Sequence, residues 1–153
     1  MEKDPIEAAL YYCSREDSPP IRLSAKTRLH RFHYRFTSLG KLDAGFVIYE
    51  DKNYILVNKK LQREYQRIAA AREFGHFVLG HGPLATNGVK HQGRQIWEVQ
   101  DALIFAREIL MPRFLLVLEN KLAAADIAMR YQVPIEEVRE HLKKLPNTLE
   151  RLT

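Results

Sequence analysis

The stretch "LQREYQRIAAAREFGHFVLGH", Leu61 to His81, constrains the fold of this chain more than any other. Leu61, Tyr65, Ile68, Ala69, Phe74 or Gly75, and Leu79 recur at helical spacing, which predicts a helix with one face buried. Gly80 and the "HGP" after it end that helix. Such a helix needs a surface to pack on, and the segments around it supply candidates.

Ahead of it, "GFVIYEDKNYILVN" contains two β-branched and aromatic runs around Glu50-Asp51-Lys52-Asn53, which reads as a β-hairpin turning at that polar cluster. Behind it, after a polar loop "LATNGVKHQGRQ", the segment "WEVQDALIFAREILMP" places Ala102, Phe105, Ala106, Ile109 and Leu110 on one apolar stripe. Pro112 marks its end. Phe105, Ile109, Leu110 and Trp97 are expected in the core. Near the start, "DPIEAALYYCS" sets Ile6, Leu10 and Cys13 at helical spacing behind Asp4 as N-cap and Pro5 at the first helical position. From Ile21 onward, through "RLHRFHYRF", the pattern reads as extended. The last part, "LAAADIAMRYQVPIEEVREHLKKL", reads as two short helices with Pro134 in the first turn of the second. Helix, strands, then helices is an α+β order within one domain.

A chain of 153 residues is long enough for one real core, and 46% hydrophobic with 28% charged residues is ordinary globular composition. The net charge of +5 favours anionic partners only weakly, because the basic residues are scattered except for a denser run from Lys26 to Arg35. Cys13 is the single cysteine, which excludes an internal disulfide and a cysteine zinc cage. The opening "MEKDPIEAAL" lacks a signal-peptide pattern and no apolar stretch is long enough to span a bilayer, so the expectation is a cytoplasmic protein with no membrane role.

In the stretch "AREFGH", histidine at the position of Arg72 would complete H-E-x-x-H. Two histidines four apart share a helix face and can reach one zinc ion, while the glutamate between them faces the metal-bound water as general base. A catalytic zinc needs a third protein ligand and keeps one open position for that water. Glu73 and His76 stand at the required spacing. Arg72 does not serve as a ligand, because a guanidinium has only donors and stays protonated.

The run "RIAAAREFGHFVLGHGP", followed by "DALIFAREILMP" and preceded by "YILVNKKLQREYQR", resembles the ImmA/IrrE family of zinc metallopeptidases. The resemblance runs from Gly45 to Pro112 and more loosely to Leu145. It implies a zincin-like α+β domain, with an active-site helix from Gln62 to Leu79 on a small sheet, a second helix from Trp97 to Leu110, and a helical C-terminal part. It further implies a single domain over 1–153, with its core over 20–112 and a helical extension over 113–150. By the same resemblance Glu73 falls on the general base, His76 and Asp101 on zinc ligands, and Arg72 on the position of the missing first ligand. The implied activity is that of a zinc metallo-endopeptidase cutting a regulatory protein, typically a DNA-binding repressor of a phage, mobile element or stress response.

Two of the three ligand positions depart from the family pattern, so a pseudo-peptidase that binds a protein partner without cutting it stands as the alternative. The Arg72 guanidinium is expected to sit at the former metal position and pair with Asp101 or Glu73. His81 is a rescue ligand only if the helix breaks at Gly80, since five residues place it about 140° round a continued helix from His76. His91 is the other candidate nitrogen donor. A third reading, a nucleic-acid-binding module through the basic N-terminal strand region, rests on the basic and aromatic mixture of "KTRLHRFHYRF". Alternate residues of a half-buried strand give the same composition, and nucleic acid is not the expected partner. Glu136, Glu137 and Glu140 oppose a phosphate backbone and argue against a DNA-reading helix near the C-terminus.

Overall fold

The computed structural model describes residues 2–119 and 121–145, so residues 120 and 146–150 of the expected C-terminal extension lie outside it. The sheet is built from β1 (His33–Thr37), β2 (Ala44–Tyr49), β3 (Lys52–Asn58), β4 (Ala85–Thr86) and β5 (Val89–Lys90), in the order β1-β3-β2-β4-β5. β2 and β3 form the expected antiparallel hairpin, with Glu50 and Asp51 both at positive φ, the backbone of a tight hairpin turn. β1 pairs parallel to β3 and β4 parallel to β2.

The helices are α1 (Pro5–Leu10), α2 (Leu23–Thr27), α3 (Arg63–Val78), α4 (Ile96–Leu110), α5 (Arg113–Leu118), α6 (Ala124–Tyr131) and α7 (Ile135–Lys144). α1 has the expected cap: the Asp4 carboxylate accepts from the backbone of Ile6 and Glu7. It stops at Leu10, short of Cys13, whose thiol instead bonds back to the Ala9 carbonyl. α4 starts with a capping box in which Gln95 and Glu98 satisfy each other's backbone amides.

Four local expectations are corrected. The segment from Ile21 is helical first, as α2 and a 3-10 turn at Arg28–His30, because Leu23 and Thr27, four apart, both turn into the core. The basic run is thereby divided among three elements rather than lying on one strand. The polar loop after α3 contains the β4–β5 hairpin, turned by Asn87-Gly88 with both residues at positive φ. Pro112 ends α4 and also serves as N-cap of α5, a helix the sequence reading passed over, while Pro134 is the N-cap of α7 and not in its first turn.

α3 lies between the sheet and α4. Ile68, Ala71, Phe74 and Val78 are buried with Ile55 and Val57 of β3 and with Phe105, Ile109 and Leu110 of α4. Phe32, Phe46, Phe74 and Phe77 pack together between β2 and α3, edge to face for Phe32–Phe74 at 5.7 Å and Phe46–Phe77 at 5.6 Å and stacked for Phe74–Phe77 at 6.1 Å. Trp97 is not core: it is 45% exposed at the start of α4. No helix among the described residues is long and apolar enough to cross a membrane.

The α3–α4 contact depends on Gly75. A Cβ there would stand 2.9 Å from Phe105 Cδ1 and 3.2 Å from the Ala102 carbonyl oxygen, and the latter is backbone that cannot swing aside. Gly75→Ala is expected to lower stability by about 1–3 kcal/mol through overpacking, read as a lower midpoint in urea.

At the far end of α4, His141 of α7 is 5% exposed and its Nε2 donates to the Met111 carbonyl at 2.9 Å. Burial holds its pKa below the ordinary value; Glu108 opposes that shift, while Arg113 and Arg107 add to it. The unfolded chain then takes up a proton near pH 6.5 that the folded chain refuses, so stability is full above that value and falls as the pH drops below it. His141→Gln should remove about one proton from the pH slope, roughly 1.4 kcal/mol per pH unit below 6, in denaturation curves across pH 5 to 7.

Candidate functional site

The last two turns of α3 carry Arg72, Glu73 and His76 together. The Glu73 side chain is 3% exposed, and a carboxylate so deep must be matched by donors and charge. Its Oε1 accepts from the backbone N–H of Phe46 on β2 at 2.9 Å. The same oxygen accepts from Nη1 of Arg94 at 2.9 Å, an arginine in the loop before α4 whose Nη2 also donates to the Gly82 carbonyl. Oε2 faces Arg72 Nε at 3.7 Å and His76 Nε2 at 3.9 Å. Glu73 therefore fastens α3 to the sheet and to the loop leading into α4.

Arg72 does approach Glu73, but loosely. The short charge-assisted bond belongs to Arg94, and Arg72 makes no ion pair with Asp101 among the described residues. Sequence reasoning missed Arg94 because it sits in "HQGRQ", a loop with no periodicity to assign its direction. The available signal was indirect: a glutamate on the buried face of a helix requires a cationic partner from somewhere.

α3 ends at Gly80, at φ 77, and the chain doubles back. The His81 N–H donates to the His76 carbonyl and the Gly80 N–H to the Phe77 carbonyl, the two reversed bonds of a Schellman cap. That break satisfies the condition set for His81. It brings His81 Nδ1 to 2.8 Å from His76 Nδ1, so one of the two nitrogens carries the hydrogen and the other accepts it. Trp97 covers the outer side, edge-on to the His81 ring at 5.5 Å.

Both imidazoles are neutral at physiological pH. Burial pushes His76 down to about 2, with Arg94, His81 and Arg72 adding to the effect. Burial also lowers His81, against the opposing pull of Glu98 and Asp101. Asp101 is half-buried on α4 and makes no hydrogen bond to Glu73 or His76 among the described residues. His91 is elsewhere, bonded through Nε2 to Thr86 Oγ1 on the β4–β5 hairpin.

A catalytic zinc needs three protein donors around one point. Among the described residues no group of three or more histidine, cysteine, aspartate or glutamate side chains is arranged to hold a metal ion. The two imidazoles bond each other, Oε1 of Glu73 already accepts twice, and two guanidinium groups bring positive charge to the place a cation would need. The residues present do not fit the ion.

Residues 24–143 match the family model described as the IrrE N-terminal-like domain, a peptidase family. No curated protein matches the chain.

Removing Arg94 leaves a buried carboxylate with one backbone donor and a distant Arg72. Arg94→Ala is expected to destabilise the fold by about 3 kcal/mol, since breaking a buried pair strands its partner's charge. In a double-mutant cycle with Glu73→Gln the combined loss should be well below the sum of the two, measured by chemical denaturation.

Proposed function

The chain belongs to the peptidase family of IrrE N-terminal-like domains, and from that premise we propose that it is a pseudo-peptidase, a protein-binding member with ionic ties in place of a catalytic metal. The observation that carries this reading is the Arg94–Glu73 bond at 2.9 Å. A general base needs a free lone pair directed at a water. Oε1 of Glu73 has none to spare, Oε2 faces the Arg72 guanidinium at 3.7 Å, and the charge of the carboxylate is answered by protein cations instead of a metal. No hydrolytic step through zinc follows from this arrangement.

The expected partner is a regulatory protein of the repressor type, the class the family resemblance implies. Exposed apolar surface beside His81 supports a protein partner: Ile96 is 78% exposed, and Trp97 and Val99 on the same first turns of α4 are also open to solvent. Contiguous exposed apolar side chains mark interaction surfaces.

A second reading is favoured by one feature, the two neutral imidazoles of His76 and His81 held Nδ1 to Nδ1. A tautomer shift that moves the shared hydrogen to Nε2 and leaves both Nδ1 lone pairs for a metal ion would give a weak two-nitrogen site and a residual peptidase. Metal analysis of the purified chain separates the two. The pseudo-peptidase reading expects no stoichiometric zinc, with the same result for His76→Ala. Stoichiometric zinc that is lost in His76→Ala would overturn it. Arg72→His alone is expected to gain no zinc while Arg94 stays beside Glu73; the double variant Arg72→His with Arg94→Ala should gain it.

A further inference from the structure

At the opposite end of α3 from Glu73 lies a cleft of about 440 Å³ between α2, β1 and the first turns of α3. Its volume falls within the range of about 300–1,000 Å³ in which small-molecule sites are found. Arg22, Arg63 and Arg67 line it together with Gln66, Tyr34 and Phe36, and no carboxylate lines it.

Among the described residues none of the three arginines makes an ion pair. Arg67 spends Nε on the Gln132 carbonyl and Nη2 on the carbonyls of Ile21 and Tyr131, which satisfies donors but cancels no charge. Its Nη1 has no partner among the described residues. Burial, with Arg63 beside it, pushes Arg67 down to about 10, the response of a cation held near another cation in a partly dry place. Arg63 donates to the Gln132 side-chain oxygen, again a neutral group. Acidic residues lie on the far side of the same arginines: Glu16 and Asp17 line the adjoining cleft that shares Arg22, Arg63 and Arg67, with Asp17 tied to Lys26 at 2.6 Å, and Glu64 lines the cleft toward α6 and α7 that shares Arg63.

The wall opposite is aromatic. Along β1, Tyr34 and Phe36 share the face turned toward the helices, as the two-residue period of a strand requires. Tyr34 is anchored through its hydroxyl to Thr27 at 2.8 Å, whereas Phe36 is left 58% exposed. A bare phenyl ring beside guanidinium groups that no ion pair holds matches a ligand with a flat ring at one end and a multiply charged anion at the other. A phosphate monoester carries about −1.5 to −2 charge at neutral pH and accepts bidentate bonds from arginine.

We propose that this cleft binds a nucleoside monophosphate, its phosphate held by Arg22, Arg63 and Arg67 and its base laid against Phe36. The site is independent of the chemistry at Glu73. It is separated from that residue by the length of helix from Arg63 to Glu73, about 15 Å at 1.5 Å per residue.

Calorimetric titration of the full chain at low ionic strength, with adenosine monophosphate, inorganic phosphate and adenosine as probes, tests it. Saturable one-site binding of adenosine monophosphate is expected, weaker binding of inorganic phosphate, and none of adenosine. Arg22 and Arg63 are both exposed, so the Arg22→Ala, Arg63→Ala double variant should keep its melting temperature and lose affinity by about tenfold or more. Phe36→Ala should weaken the nucleotide and leave inorganic phosphate unchanged. Absence of saturable nucleotide binding, or binding undiminished in the double variant, overturns the site. Equal affinity for phosphate and nucleotide, with Phe36→Ala silent, overturns the role of the ring.

Discussion

One buried carboxylate organises the functional half of this domain. Glu73 is taken out of water on the inner face of α3, and the chain meets that demand from two distant places, the β2 backbone at Phe46 and the Arg94 guanidinium. Because Arg94 also holds the Gly82 carbonyl, the turn after α3 and the loop before α4 are tied to one point. A metal ion bridging two helices would impose a similar cross-link. Here hydrogen bonds and charge tie these elements together.

The packing beneath depends on how closely α3 and α4 approach. Gly75 removes the one side chain that would collide with Phe105 and the Ala102 carbonyl, and this lets α4 lie against the same turns that carry Glu73 and His76. The Schellman cap at Gly80 then folds His81 over His76, under Trp97. Desolvation follows from that enclosure, and it keeps the imidazoles neutral. Close helix packing, helix capping and side-chain protonation are thus consecutive consequences of one local arrangement.

Much of this was legible before any coordinates. The hairpin of β2 and β3, the extent of α3, the stripe of α4 and the core placement of Phe105, Ile109 and Leu110 all follow from periodicity, since a regular element repeats its buried face at a fixed interval. The short elements did not announce themselves. α2 contributes only Leu23 and Thr27 to the core, too few residues for a period to emerge, and it lies against a run whose basic and aromatic residues suggest alternation. The β4–β5 hairpin rests on Asn87-Gly88, a turn signal within a segment otherwise read as polar loop. Trp97 reads as core by size alone, yet it is placed at an open helix end, where its ring covers His81.

The sequence by itself determined the membership in a peptidase family and the presence of arginine where a ligand histidine would stand, because both reside in local order and in the chemistry of single side chains. What Arg72 does could not be read there. Only the tertiary structure decided that the close partner of Glu73 is Arg94, and that three arginines line one cleft beside Phe36. Pairing between residues on different elements depends on how those elements pack, and no spacing along one helix encodes a distance to a side chain from another part of the chain.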